Sequence, residues 1–415
     1  MRDSTPDGKR DSNSGPDTDS DADSETSTIV YGHEGFETYQ ARVRDLLRAL
    51  RGPNVAATAD IERLRGGSFN RIIGISLPDA GDKLILRVPR FEHVNVAIHS
   101  GVLRSLCDKL PVPEVVEYDT GTDNALGEPY LLARRIEGVT LHGVLDTMST
   151  VHRCAMAVQI ARLIVAIHAV PVPSGIGPLS VDNFEKLCLG HFRDDDADDA
   201  DEEGNMTDHT VHYGSTPQKL PEFIQMRIMN IHASALRRSP DDTYIPKLCV
   251  DLERASQPLL CGVQLTNRNV LFHRDFAARN ILVTYAADRG WYITGVLDWD
   301  DCEVVPLEIA RVCPGWLWAA ADEPEADFDE NEWDPDLPVP DETCARIKRA
   351  FINEIERLEP GYIETIRTTR ARCLRPLFEL ARSGFHSNED IKTMKRVVSV
   401  AEQLAAHSTQ AQNCP

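Results

Sequence analysis

The stretch Leu271-Phe272-His273-Arg274-Asp275-Phe276-Ala277-Ala278-Arg279-Asn280-Ile281-Leu282-Val283 sets a His-x-Asp-x-x-x-x-Asn pattern between two apolar runs. A further apolar run, Trp291 to Leu297, leads into the acidic group Asp298-Trp299-Asp300-Asp301, whose first residue lies eighteen residues after Asn280. Short apolar runs flanked by charge read as strands, or strand-like loops, that hold polar residues at their ends. Phosphoryl transfer to a hydroxyl gives this spacing a purpose. It needs a carboxylate to orient the nucleophile and accept its proton, and oxygen ligands to hold Mg²⁺ on the phosphates. Asp275 suits the first task. Asn280 and Asp298 suit the second, because Mg²⁺ takes few protein oxygens and completes its shell with water and phosphate. His273 is expected to order the loop through a hydrogen bond rather than to move protons. Arg274 and Arg279 are expected to make structural or solvent contacts. Asp300 and Asp301 either tune the metal site or are solvated loop acids.

The chain around this stretch has 415 residues, 42% hydrophobic and 27% charged. That composition is ordinary for a globular protein and excludes wholesale disorder, collagen and a disulfide miniprotein. The longest apolar stretch, around Ile164 to Val172, is interrupted by His168 and Pro171 and is expected to be too short to span a bilayer. Residues 1–24 are polar and acidic and lack the apolar segment of a secretory signal. Ten cysteines are scattered with no C-x-x-C spacing, so reduced thiols in a cytoplasmic protein are expected rather than a zinc or redox motif. The net charge of −22 is concentrated in residues 1–28 (−5), 193–208 (−8) and 322–342 (−11), which leaves the remainder at +2. Such acidity disfavours a nucleic-acid partner but permits an anionic ligand in a locally basic cleft. The acids at 322–342 form either a solvated loop or a wall for a cationic substrate.

Toward the N-terminus, Phe36, Tyr39, Val43, Leu46, Leu47 and Leu50 recur at helical spacing until Gly52-Pro53. Ile73, Ile75 and Leu77 alternate with polar or small residues, Pro78 to Asp82 makes a turn, and Leu84, Leu86 and Val88 alternate again. This pattern predicts a β-hairpin with Arg87 on the face opposite Leu86 and Val88. A helix over about 94–109 and strands at 115–118 and 129–133 follow. Beyond Gly138 the chain reads as helical, with Met156, Ile160, Leu163, Ile164 and Ile167 as one stripe and a helical end from 344 to about 405. The fold class is therefore α+β.

Together these motifs resemble the aminoglycoside phosphotransferase and choline kinase-like family of the protein-kinase-like fold, in particular its fungal members, over roughly residues 55–400. The resemblance implies a bilobal molecule. Residues 1–30 would be a disordered acidic tail. Residues 31–135 would be an N-lobe with an antiparallel sheet, and 136–410 a larger, mainly helical C-lobe with an acidic insertion at 193–208. It implies ATP and Mg²⁺ as cofactors and a hydroxyl of a small molecule as acceptor, with neither nucleic acid nor membrane as partner. Asp275 would be the catalytic base, with His273 ordering its loop, and Asn280 and Asp298 the Mg²⁺ ligands. Gly66, Gly67 and Ser68, in Arg63-Leu64-Arg65-Gly66-Gly67-Ser68-Phe69-Asn70, resemble the turn that covers the phosphates. Arg87 stands where the family has its phosphate-pairing lysine or arginine. Pro129 to Gly138 resembles the hinge that contacts adenine.

Two departures accompany the resemblance. The family's helix glutamate, which pairs the strand cation, is matched here by His99, with Glu92 the nearest acid. The strand cation is an arginine, a planar fork rather than a point charge. A nucleotide-binding pseudokinase thus stands beside the active enzyme. A protein kinase is disfavoured, because no G-x-G-x-x-G, D-F-G or A-P-E is present at the required places.

Overall fold

The computed structural model describes residues 35–412 apart from 65–68, 79–80, 92–93, 183–185, 191–215, 242, 262–264, 319–334 and 337. The tail, the 193–208 insertion, most of the acidic run and the Gly66-Gly67-Ser68 turn lie outside the described residues, as does Glu92. Contacts divide the chain into two compact units, one from residues 1–96 and 117–133, the other from 97–116 and 134–415.

The first unit opens with α1 (Phe36–Arg51), which buries Tyr39, Val43, Leu46 and Leu47 along one stripe. Gly52, at φ 91°, ends it, and Pro53 then starts α2 (Pro53–Thr58) at the first helical position, where a missing N–H costs nothing. Arg44 donates to the carbonyls of Ala56 and Ala59, and Gln40 to that of Ile61, so α1 is tied to the start of β1 (Asp60–Arg63). The expected hairpin is β2 (Asn70–Leu77) with β3 (Asp82–Pro89), in the register Ile73↔Leu86 and Ile75↔Leu84. Period-2 spacing sends Ile73, Ile75, Leu77, Leu84, Leu86 and Val88 inward, all buried. Each such aliphatic contributes about 1.5–3 kcal/mol on leaving water.

Next in the chain come α3 (Val96–Leu106), β4 (Val115–Asp119) and β5 (Tyr130–Arg134). The sheet order is β1-β2-β3-β5-β4. Residues 97–116, which include nearly all of α3, group with the second unit.

The second unit continues through β6 (Val139–Thr140), α4 (Leu141–Leu145), α5 (Thr150–His168), β7 (Gly177–Val181) and β8 (Leu187–Leu189). It proceeds through α6 (Leu220–Arg238), α7 (Tyr244–Leu260), β9 (Asn269–His273), β10 (Ile281–Ala286), β11 (Gly290–Val296), β12 (Cys302–Pro306) and α8 (Leu307–Ala310). It closes with α9 (Glu342–Leu358), α10 (Tyr362–Arg367), α11 (Thr369–Ser383) and α12 (Asn388–Gln412). A small antiparallel-sheet unit and a larger, mainly helical unit are thus both present, as the α+β, protein-kinase-like reading requires.

Two small sheets in the second unit hold the loop that follows His273. One has the order β11-β10-β6 and the other β8-β7-β12-β9. Cys302–Pro306, followed directly by α8, is a strand antiparallel to β9. All five of its residues are buried, so it shows no alternation that would mark it as β.

Among the described residues, α5, with 19 residues, is the one helix long and apolar enough to cross a membrane by length and composition. Arg153 and Arg162 interrupt it as a continuous apolar run. Met156, Ile160, Ala161 and Ile164 of this helix share a core with Ile347, Phe351 and Ile355 of α9. Ser149 caps α5 and Asp341 caps α9, each worth about 1 kcal/mol.

A polar clasp crosses the same pair of helices. Glu354 accepts from Arg357 (2.8 and 2.9 Å) and from Arg162 of α5 (2.7 Å). The hydrogen bonds from Arg357, then those from Arg162, hold its carboxyl down at about 2, against an ordinary 4.5. A depressed carboxylate stabilises the fold above its unfolded pKa and ceases to do so as pH falls through the folded one. Glu354→Gln should therefore flatten the loss of thermal stability between about pH 4.5 and 2, read by melting temperature against pH. An unchanged acid limb would show that the clasp contributes nothing.

Candidate active site

β9 delivers His273 at its last position, opposite Cys302 of β12. The chain then turns through residues 274–277 into a single 3-10 turn, Ala278–Asn280, and leaves as β10. Ala277 N–H donates to Asp275 O (2.9 Å), and Asn280 N–H to Ala277 O (3.0 Å). The loop is closed again by side chains. Asn280 Nδ2 donates to the Asp275 backbone oxygen at 2.9 Å and to its Oδ2 at 2.7 Å. Arg279 Nη2 lies 2.5 Å from Asp275 Oδ1. The carboxylate of Asp275 is thus fixed at both oxygens while its side chain stays 31% exposed.

His273 is 3% exposed, and its Nε2 is hydrogen-bonded at 2.8 Å to the carbonyl of Leu297. Burial pushes its pKa down, so the ring is neutral and Nε2 is the donor. Its ring packs edge-on to Trp299 at 4.7 Å. The histidine therefore links the 274–280 loop to the acidic turn and does not face solvent as a base would.

That turn is joined to the loop by backbone as well. Leu297 N–H donates to Asn280 O at 2.8 Å, which sets Asn280 and Asp298 on adjoining segments. Asp298 adopts φ 65° and ψ 53°, a left-handed conformation that aspartate tolerates better than most residues. Trp299, 2% exposed, anchors the turn through its Nε1 to Val296 O at 3.0 Å.

The acids that follow are paired one by one. Asp300 Oδ1 lies 3.5 Å from His99 Nδ1 on α3. Asp301 meets Arg274 at 3.3 Å and Arg382 of α11 at 3.6 Å. Glu303, with no exposed surface, sits between Arg274 (3.4 Å) and Arg382 (2.5 Å), and Glu379 adds a further carboxylate to Arg274 at 3.1 Å. Burial pushes the Glu303 carboxyl up, against the pull of the two guanidiniums. The carboxylates of Glu379, Glu303 and Asp301 together hold the Arg274 proton more tightly than usual, despite its burial.

The structure brings four of the sequence candidates together: His273, Asp275, Asn280 and Asp298. Arg87 lies in the first unit on β3, paired with Ile72 between buried Leu86 and Val88, and so on the sheet's other face. Sequence reasoning places Arg274 and Arg279 in structural or solvent roles. Arg274 is structural, but Arg279 touches the candidate base. Sequence reasoning also misses Glu303, although a lone acid inside Cys302-Glu303-Val304-Val305 is itself the signal of a buried charge that needs partners. Of the acidic run, Asp336 binds Arg367 (3.0 Å) and Arg372 (2.9 Å), and Asp341 is the helix cap.

Among the described residues, no three histidine, cysteine, aspartate or glutamate side chains converge as a ready-made metal cage. The donor set nevertheless suits Mg²⁺. With Asn280 Nδ2 bound to Asp275, its Oδ1 is directed away from that carboxylate and could hold the ion, and Asp298 would supply a second hard oxygen.

Comparison with known proteins gives a family. A curated relative from Aspergillus fumigatus, a subtelomeric hrmA-associated cluster protein found in two strains, is 30% identical over 111 residues. Those residues are 25% of this chain, and the match spans about a fifth (21%) of the length of the curated relatives. Among solved structures, Plasmodium vivax ethanolamine kinase is similar at a TM-score of 0.47 and 11% identity, over 91% of this chain and 94% of that one. An ADP-bound aminoglycoside phosphotransferase is similar at 0.45 and 13%, over 83% and 94%. The model of the phosphotransferase enzyme family, APH, matches residues 60–327, well over half of the chain, and its span takes in the whole His273–Asp298 site: the chain belongs to that family.

Proposed function

We propose that the protein transfers the γ-phosphoryl group of ATP to a hydroxyl of a small molecule. The observation that carries this reading is the fixed carboxylate of Asp275 beside the two oxygen donors of Asn280 and Asp298. Bound Mg²⁺ would neutralise charge on the phosphates. Asp298 and Asn280 would hold it. Asp275 would accept a hydrogen bond from the acceptor hydroxyl and take its proton. The acceptor oxygen then forms the new O–P bond as the β–γ bridging P–O bond breaks and ADP leaves. Arg87 would pair with the phosphates, and Gly66, Gly67 and Ser68 would cover them. Nine free cysteines among the described residues suit a reducing, cytoplasmic setting.

One observation favours nucleotide binding without transfer: Arg279 sits on the oxygen of Asp275 opposite to the one that Asn280 holds. Incubation with ATP–Mg²⁺ and a metabolite pool, read by mass spectrometry, separates the two readings. A phosphorylated hydroxy compound is expected; nucleotide binding with no product would favour the second reading.

The metal assignment has its own test. Asp298→Asn keeps a residue that tolerates the left-handed backbone and removes only the charge. It should weaken Mg²⁺-dependent ATP binding more than Asn280→Ala does, and Asp301→Asn should do less than either. Affinities measured with and without Mg²⁺ decide it. Asp301 as the most damaging position would put the wrong carboxylate on the metal.

A further inference from the structure

Three carboxylates crowd the four positions 298–301, yet a Mg²⁺ ion bound to nucleotide phosphates takes only one or two from the protein. Asp301 is drawn toward Arg274 and Arg382. Asp300 is drawn the other way, toward His99 on α3. Neither partner is a casual surface contact. The His99 and Asp300 side chains are 14% and 20% exposed. The helix that carries His99 is seated closely in the second unit. A Cβ at Gly101 would come within 2.6 Å of Val181 Cγ1 on β7, so only glycine permits this approach. β7 in turn pairs with β12, the strand that follows the acidic turn. Helix, sheet and turn thus form one packed assembly with His99 aimed at Asp300.

We infer that His99 is a positioning residue that withholds Asp300 from the metal, so that the turn offers the ion a single carboxylate, Asp298. The inference rests on the reading that Asp298 and Asn280 hold Mg²⁺. Its consequence is metal selectivity. Mg²⁺ is small, demands octahedral geometry and keeps its waters, whereas Ca²⁺ accepts six to eight oxygens and gains from each added carboxylate. A turn with Asp300 released would favour Ca²⁺. The family-pattern substitution His99→Glu would set a second carboxylate against Asp300 and is expected to act in the same direction.

The test is calorimetric titration of Mg²⁺ and Ca²⁺ into the full chain with ADP bound, a readout independent of turnover. His99→Ala should raise the Ca²⁺-to-Mg²⁺ affinity ratio about tenfold. Asp300→Asn added to His99→Ala should return the ratio to that of the parent. His99→Gln, whose amide can still donate to Asp300, should stay near the parent ratio. A purely structural role for His99 would lower melting temperature without moving the ratio, and that outcome would overturn the inference. So would a raised ratio that persists in the double variant. Should His99→Ala fail to fold, Asp300→Asn alone suffices. It is expected to leave Mg²⁺ affinity within about twofold of the parent, because Asp300 is held off the ion. A loss as large as that of Asp298→Asn would sink the inference and leave the Asp298 assignment standing. Unchanged Mg²⁺ binding in Asp298→Asn would overturn that assignment, and this inference with it.

Discussion

Asp275→Asn is expected to lower turnover by about 10²–10⁴, the usual worth of a positioned base. Nucleotide affinity should stay within about threefold, because the substitution leaves Asn280 and Asp298 in place. The geometry explains why the effect should fall on the chemical step. Asp275 Oδ2 accepts from Asn280 and Oδ1 from Arg279, so an incoming acceptor hydroxyl would meet a carboxylate already held in place. An ionised carboxylate offers about four acceptor directions, so both contacts leave room for the incoming hydroxyl. The asparagine side chain keeps the shape, but its amide nitrogen can accept no proton. The check is kcat together with the ATP dissociation constant, once an acceptor is in hand, and ATP hydrolysis before then. Turnover within a few-fold of the parent would remove Asp275 as the base.

Glu303→Ala is expected to cost about 3–5 kcal/mol of stability, the range for breaking a buried ion pair from one side. Glu303 has no exposed surface and is contacted by Arg274 and Arg382, whose side chains are 22% and 20% exposed. Its removal would leave two guanidiniums facing one another with Asp301 and Glu379 to share between them. The loss should extend to function, because Arg274 directly precedes the proposed base Asp275. Denaturant unfolding of Glu303→Ala beside Glu379→Ala would measure it. Glu379 is 31% exposed and binds Arg274 at 3.1 Å, so its removal should cost clearly less than removal of the fully buried Glu303. Equal costs would show that burial of Glu303 contributes nothing special.

Much of this arrangement is legible in the chain itself, for local reasons. The β2–β3 hairpin is written as two period-2 runs around a turn, and its register follows from Ile73, Ile75, Leu84 and Leu86. The pairing of Asp275 with Asn280 is written in a spacing short enough for one loop to close. What escapes is either non-periodic or non-local. β12 is buried at every position, so nothing alternates. α5 is interrupted as an apolar run by Arg153, Gln159 and Arg162, yet as a helix it is long and apolar enough for a bilayer. Arg279 reads as a solvated cation because one sequence gives no hint that the 3-10 turn folds it back onto Asp275. The partners of Glu303 lie 29 and 79 residues away, and no short motif encodes them. His99 marks a departure from the family's pattern in the sequence, and only the fold reveals that it faces Asp300.

Asp298 carries an obligation of another kind. Its backbone sits in the left-handed region, where a side chain costs free energy and glycine does not. Selection for folding alone would favour glycine there, whereas the proposed role of Asp298 in holding Mg²⁺ would forbid it. The residue is therefore a point where activity and robustness pull apart. Asp298→Gly would discard the carboxylate and relax the turn at once, yielding a protein that is inert yet harder to unfold than the active one. Loss of function at this position would leave abundance intact, and a lineage drifting toward a scaffold role would find it an easy first step.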